Sequence, residues 1–139
     1  MSDARVPVAT GGCQCGAVRY ALYVEPQRSH VCHCRMCQRA TGGLFAALAG
    51  APKTQFAWTQ GEPGVFASSN KATRPFCRDC GTPLGFAYAG PARAPIISQF
   101  GVESLISWVS FRPQVPAERT GADAASQAFL ATLVSHQDR

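Results

Sequence analysis

The chain has 139 residues, of which 46% are hydrophobic and only 15% charged, with a formal net charge of +5. That length suits one domain with a buried core, and the composition excludes a disordered, charge-rich tail. No run of about 18 apolar residues is present, so no membrane-spanning helix is expected. The positive charges, among them Arg35, Arg39, Lys71, Arg74 and Arg78, are scattered rather than clustered. They read as solvated surface, which makes nucleic acid an unlikely partner.

The first ten residues lack the apolar stretch of a secretory signal, which points to a cytoplasmic protein. Residues 17–24 (AVRYALYV) are β-branched and aromatic and predict a strand that Pro26 ends. Residues 44–49 follow the Gly42-Gly43 pair and predict a buried strand or a short helix. Residues 54–59 and 65–68 flank the turn-prone Gly61-Glu62-Pro63-Gly64 and predict a hairpin or two successive strands. Residues 75–77, 84–88 and 96–100 are further short strand candidates. Thirteen glycines and ten prolines are spread along the chain, in keeping with many turns. Residues 122–135 differ: they lack Gly and Pro and pair Phe129 with Leu133 and Leu130 with Val134 at helical spacing. A C-terminal helix is expected there, packed on its own domain or forming a homodimer contact. The fold class expected is mainly β, as a single domain over 1–139 with no internal repeat.

The seven cysteines carry the chemistry. An odd number cannot all pair, and a reducing compartment disfavours disulfides, so metal ligation is the simpler use. They fall into three motifs. Gly12-Cys13-Gln14-Cys15-Gly16 is a C-x-C; in an extended segment, residues i and i+2 face one side, so both thiolates reach one ion. Cys77-Arg78-Asp79-Cys80-Gly81 is a zinc-knuckle C-x-x-C-G, with glycine free to take positive φ and backbone N–H groups free to face the sulfurs. Cys32-His33-Cys34-Arg35-Met36-Cys37 is a C-x-C-x-x-C, in which one local loop offers three corners of a tetrahedron. Three protein ligands and an open position is the pattern of catalytic zinc.

We therefore expect two Zn²⁺ ions: a closed structural site at Cys13, Cys15, Cys77 and Cys80, and an open site at Cys32, Cys34 and Cys37. With seven thiolates and two such ions the formal +5 falls to about +2. Other partitions stay open. A zinc ribbon would join Cys34 and Cys37 to Cys77 and Cys80, although the Cys37–Cys77 interval exceeds the usual spacing of about 15–20 residues. The trio could be a redox site without metal. It could also be a structural site closed by a histidine, His30 and His33 being near in sequence and His136 far.

Taken together, these motifs resemble the glutathione-dependent formaldehyde-activating enzyme family, which also includes centromere protein V. The resemblance runs through residues 12–20 (GCQCGAVRY), 32–37 (CHCRMC), Thr41-Gly42, Phe56, Gly61-Glu62-Pro63, 76–82 (FCRDCGT) and Leu84. It covers roughly residues 11–110 and leaves 111–139 as a C-terminal extension. It implies several twisted antiparallel β-sheets around a structural zinc at Cys13, Cys15, Cys77 and Cys80. It also implies catalytic zinc at Cys32, Cys34 and Cys37, and carbon–sulfur lyase chemistry that joins glutathione and formaldehyde as S-hydroxymethylglutathione.

A thiol entering the open position would lose its proton and become the competent nucleophile. Three cysteinates leave such a centre with a charge of about −1, which favours thiol positioning over Lewis-acid activation of the aldehyde. Glutathione carries two carboxylates, and Arg35, Arg39, Arg74 and Arg78 lie near the motifs, though each also reads as surface charge. Phe45 and Phe76 could line a pocket or the core. His33 could shuttle a proton or sit on a strand facing away from the metal. Against this enzyme reading stands a non-catalytic zinc-stabilised module that contacts protein or nucleic acid, and a thiol-based redox protein.

Overall fold

The computed structural model describes residues 5–89, 98–100, 117–118 and 121–134, with only the backbone at 27–28, 98–100 and 117–118. In chain order its elements are β1 (Ala9–Gly12), β2 (Arg19–Leu22), β3 (Gln27–Cys32), α1 (Arg35–Thr41), β4 (Ala46–Gly50), β5 (Phe56–Gln60), β6 (Gly64–Ala67), β7 (Ala72–Phe76), β8 (Ala87–Tyr88), β9 (Ser98–Phe100), β10 (Ala117–Glu118) and α2 (Ala124–Ala131). The strands form three small sheets, ordered β1-β2-β5, β10-β9-β3-β4 and β6-β7-β8. The first and third are antiparallel throughout. The middle one is mixed: β3 pairs antiparallel with β4 but parallel with β9, and β9 is parallel to β10.

The mainly β architecture expected from the short apolar runs is therefore what forms. The stretch at 54–59 and 65–68 is two successive strands and not a hairpin, because β5 joins the first sheet and β6 the third. Residues 44–49 resolve as strand β4. The strand at 17–24 shortens to β2, where alternation decides the faces: Ala21 is buried while Tyr20 and Leu22 are half-buried on the other side. Tyr20 stacks on Phe56 at 5.4 Å and meets Trp58 edge-on at 6.1 Å, an aromatic cluster that pins the β2–β5 register. Of the strand expected at 96–100, residues 96–97 lie outside those described.

Three strands, β1, β3 and the two-residue β10, and the helix α1 escape the sequence reading. β1 contains Gly11-Gly12 and has little strand propensity. Its pairing is made instead by the Gly11↔Tyr20 register, in which the Tyr20 ring lies over Gly11 so closely that a Cβ there would meet its hydroxyl. β3 is polar, and its pairing on both edges fixes it. α1 has only seven residues and no apolar stripe.

The core is small. The buried apolar residues are Cys13, Val18, Ala21, Cys37, Ala46, Ala72 and Cys77, and no Leu, Ile or Phe among the described residues is fully buried. Cys13, Val18 and Cys77 form one cluster, with Ala17 and Leu84 against it. Two of the three buried members of that cluster are thus cysteines of one sulfur site. The C-terminal helix forms, in shortened form, at α2. Asp123 caps it, accepting from the Ser126 amide at 2.8 Å. It docks on its own chain: Phe129 meets Tyr88 edge-on at 5.7 Å, and the Asn70 side chain donates to the Thr132 carbonyl at 2.8 Å and accepts from the Val134 amide at 2.9 Å. Ser135 and His136 lie outside the described residues. No helix among the described residues is long and apolar enough to cross a membrane.

Candidate metal centres

The first centre joins the ends of two sheets. Cys13 follows β1 directly and Cys77 follows β7 directly, so the two strands deliver their cysteines to one place. The sulfurs of Cys13, Cys15, Cys77 and Cys80 all lie within 4.8 Å of one another. Cys13 Sγ is 3.5 Å from Cys15 Sγ, and Cys15 Sγ is 3.6 Å from Cys77 Sγ. Four sulfurs at about 2.3 Å from one tetrahedral ion would be roughly 3.8 Å apart, so the donor set and its spacing fit zinc.

Local backbone explains the arrangement. The C-x-C segment is a turn and not the extended pair expected: the Gly16 amide reaches the Cys13 carbonyl at 3.3 Å, and the Cys13 amide reaches the Val18 carbonyl at 3.0 Å. This loop aims the Val18 amide at Cys13 Sγ, 3.2 Å away, and that hydrogen bond is the main reason its thiol sits below the ordinary value. In the C-x-x-C-G segment the Gly81 amide donates to the Cys77 carbonyl at 2.9 Å with φ of 74°, the left-handed turn the motif requires of glycine. Thr82 Oγ1 lies 3.1 Å from Cys80 Sγ and holds that thiol down at about 5. Cys15 is pushed up to about 12; the Ala17 amide favours its thiolate, but Cys13, Cys80 and Cys77 outweigh it. Four thiols this close cannot all ionise without a cation to share.

The second centre lies where β3 turns into α1. Cys32 ends the strand, Cys34 is the helix N-cap and Cys37 sits in the first turn, so the three sulfurs come within 4.8 Å of one another. The Cys37 amide donates to Cys34 Sγ at 3.4 Å, which gives the short helix a cysteine cap. The single loop expected is thus a strand end and a helix start. The signal was the Cys34-x-x-Cys37 spacing itself, which is that of a capping residue and the third helical position. Cys37 is buried and Cys32 and Cys34 are half-buried. Cys37 is held far below the ordinary thiol value, by Cys32 and Cys34 first and by Arg74 after them, while Cys32 is pushed far up by Cys34, Cys37 and burial.

No histidine, aspartate, glutamate or further cysteine among the described residues joins this trio. His33 is fully buried just after β3, with its ring 5.6 Å from that of Phe45, and His30 lies on the strand. The ribbon partition, Cys34 and Cys37 with Cys77 and Cys80, is not the grouping the fold makes.

Of the four arginines singled out, Arg35, Arg39 and Arg78 are exposed. Arg74, on β7, reaches the trio: its Nη2 donates to Cys37 Sγ at 3.5 Å, and its guanidinium carbon lies 4.7 Å from the centre of the Phe86 ring. Phe86 meets Tyr88 edge-on at 4.5 Å. Tyr88 is 48% exposed, yet its phenol is pushed up, first by desolvation and then by the nearby Cys32, Cys37 and Cys34. In the sequence Phe86 and Tyr88 read only as strand residues. The Phe76 ring lies over Gly64. A surface cavity of about 250 Å³ is lined by Tyr88 together with Lys53, Ser69, Asn70 and Thr73, and no cysteine lines it.

Comparison with known proteins identifies the family. The model of the glutathione-dependent formaldehyde-activating enzyme family matches residues 8–114, which include both centres and Arg74. An uncharacterized lyase of Schizosaccharomyces pombe is 30% identical over 103 residues, 72% of this chain and 74% of that protein. The chain belongs to the glutathione-dependent formaldehyde-activating enzyme family.

Proposed function

We propose that the chain is a zinc-dependent carbon–sulfur lyase-type enzyme acting on a small thiol–aldehyde adduct. Within that class we favour the joining of glutathione and formaldehyde as S-hydroxymethylglutathione. In this reaction a sulfur–carbon bond forms, the carbonyl π pair moves to oxygen, and the thiol proton ends on that oxygen as a hydroxyl. Nothing is oxidised or reduced. The observation that carries the reading is the trio Cys32, Cys34 and Cys37: three sulfurs on one local scaffold, with no fourth ligand side chain among the described residues.

Cys13, Cys15, Cys77 and Cys80 would hold a structural zinc and the trio a second one, two per chain. When bound, the second zinc supplies a cation that favours a substrate thiolate over the thiol. The chain's own residues do the rest. Cys37 is buried, which keeps one wall of the site dry. The Cys37 amide fixes Cys34, so the trio is rigid before substrate arrives. The name of the Schizosaccharomyces pombe relative, a lyase, supports the same class of reaction. We read the chain as one zinc-binding domain, cytoplasmic, with 111–139 as an extension to its family core.

The test pairs elemental analysis with exchange NMR between formaldehyde and glutathione. Wild type is expected to hold two zincs per chain and to speed adduct formation. Cys34→Ala is expected to keep one zinc and lose the acceleration. A two-zinc protein that leaves the exchange rate unchanged would overturn the assignment.

A further inference from the structure

One strand serves both centres. β7 ends at Phe76 and delivers Cys77 to the four-cysteine site, while Arg74, two residues earlier, touches Cys37 of the trio. Arg74 is the one cation whose contact with the trio is seen among the described residues. Its placement has a cost: Nε is buried with no hydrogen-bond partner among the described residues. Two contacts hold the group there, the Phe86 ring face and the Cys37 sulfur. Arginine stays charged at any working pH, so this is a fixed positive charge beside the sulfurs.

Charge gives it a task. Three thiolates around one dication carry about −1, and an incoming fourth thiolate would raise that to about −2 in a partly desolvated site. We infer that Arg74 is a positioning and specificity residue that lets the three-cysteine centre accept an anionic sulfur ligand, by offsetting the charge a fourth thiolate brings. The inference rests on the proposed function and names what selects the ligand class. The ligand recognised is a thiolate as such, whether or not it carries carboxylates. The Phe86 ring face packs on the guanidinium and helps to hold it beside Cys37.

The experiment uses protein with cobalt(II) in place of zinc, titrated with glutathione and with 2-mercaptoethanol, which has no carboxylate. Binding is read from the sulfur-to-cobalt charge-transfer band, independent of turnover. Arg74→Gln is expected to weaken both thiols by about tenfold or more and to a similar extent, whereas Arg74→Lys, which keeps the charge, stays within about threefold of wild type. Weakening of glutathione alone would show a carboxylate grip and overturn the inference. So would equal weakening in Arg74→Lys and Arg74→Gln, because charge would then not be the operative property. If neither thiol perturbs cobalt in wild type, the proposed function falls and takes this inference with it, an outcome distinct from the other two.

Discussion

The amide of Gln14 donates to Thr82 Oγ1 at 3.2 Å, joining two cysteine loops that lie 68 residues apart in sequence. Gln14 sits between Cys13 and Cys15, and Thr82 follows the Cys80-Gly81 turn. Thr82 Oγ1 also lies 3.1 Å from Cys80 Sγ, and while it accepts from Gln14 its own hydrogen is free to be donated to a Cys80 thiolate. One hydroxyl thus locks the loops together and stabilises a thiolate.

That hydroxyl sets how the four-cysteine site responds to acid. Cys80 lies at about 5, below the ordinary thiol value of 9.0, with the Thr82 side chain as the first cause. A depressed value means that the stability Cys80 contributes is present above pH 9 and is lost as pH falls through about 5. Thr82→Val removes the donor and raises the thiol, so zinc should leave at a higher pH than in wild type. Thr82→Ser should behave as wild type. Zinc release followed with a chromogenic chelator during acid titration measures this, and an unchanged midpoint in Thr82→Val would count against the role.

The two centres should differ in what they do for folding. Structural zinc in small peptides supplies about 10–16 kcal/mol, comparable to a domain's whole stability of about 5–15 kcal/mol. With zinc bound, the four cysteines would crosslink the end of β1 to the end of β7 beside the buried Val18. Cys13→Ala and Cys80→Ala are expected to unfold the protein. Cys34→Ala, whose partners all lie within a few residues, is expected to stay folded. Circular dichroism and thermal melts with zinc counts decide between them; a folded, zinc-replete Cys80→Ala would refute the assignment.

Two glycines with similar backbone should tolerate alanine very differently. Gly81 has φ of 74° and nothing within 4 Å of an added Cβ, so Gly81→Ala should cost only backbone strain, about 1–2 kcal/mol. Gly61 has φ of 65°, but its Cβ would run into the Ala17 carbonyl, which is backbone and cannot rotate away. Gly61→Ala should cost clearly more and disturb the β2–β5 pairing. Denaturant midpoints for the two variants give the comparison, and equal values would be the unexpected result.

Besides the Phe129–Tyr88 ring contact, the C-terminal helix is held through the residues that follow it. Asn70 makes three hydrogen bonds to that segment: its backbone amide to the Val134 carbonyl at 3.1 Å, and its side chain to Thr132 and Val134. No residue of α2 is fully buried, so little apolar burial backs these bonds. Asn70→Ala should release α2 by local unfolding at a cost of about 1–2 kcal/mol. Hydrogen exchange should then speed up over residues 124–134 while the first sheet stays protected.

The sequence by itself determined the chemistry of the donors. Cys-x-Cys, Cys-x-x-Cys-Gly and Cys-x-Cys-x-x-Cys are local patterns, and short spacing constrains where sulfurs can point whatever the rest of the chain does. The three motifs, the β-rich character and the C-terminal helix were all legible for that reason. Less local features were not. β1, with its two glycines, becomes a strand only because Tyr20 covers it, and α1 is too short to show periodicity. Arg35, Arg39, Arg74 and Arg78 look alike along the chain, yet only Arg74 reaches the trio, from 37 residues beyond Cys37. That contact depends on how the β6-β7-β8 sheet packs beside the β3–α1 junction. Tertiary structure alone decided which fixed charge faces the sulfurs, because long-range proximity is set by sheet pairing and leaves no trace in residue spacing.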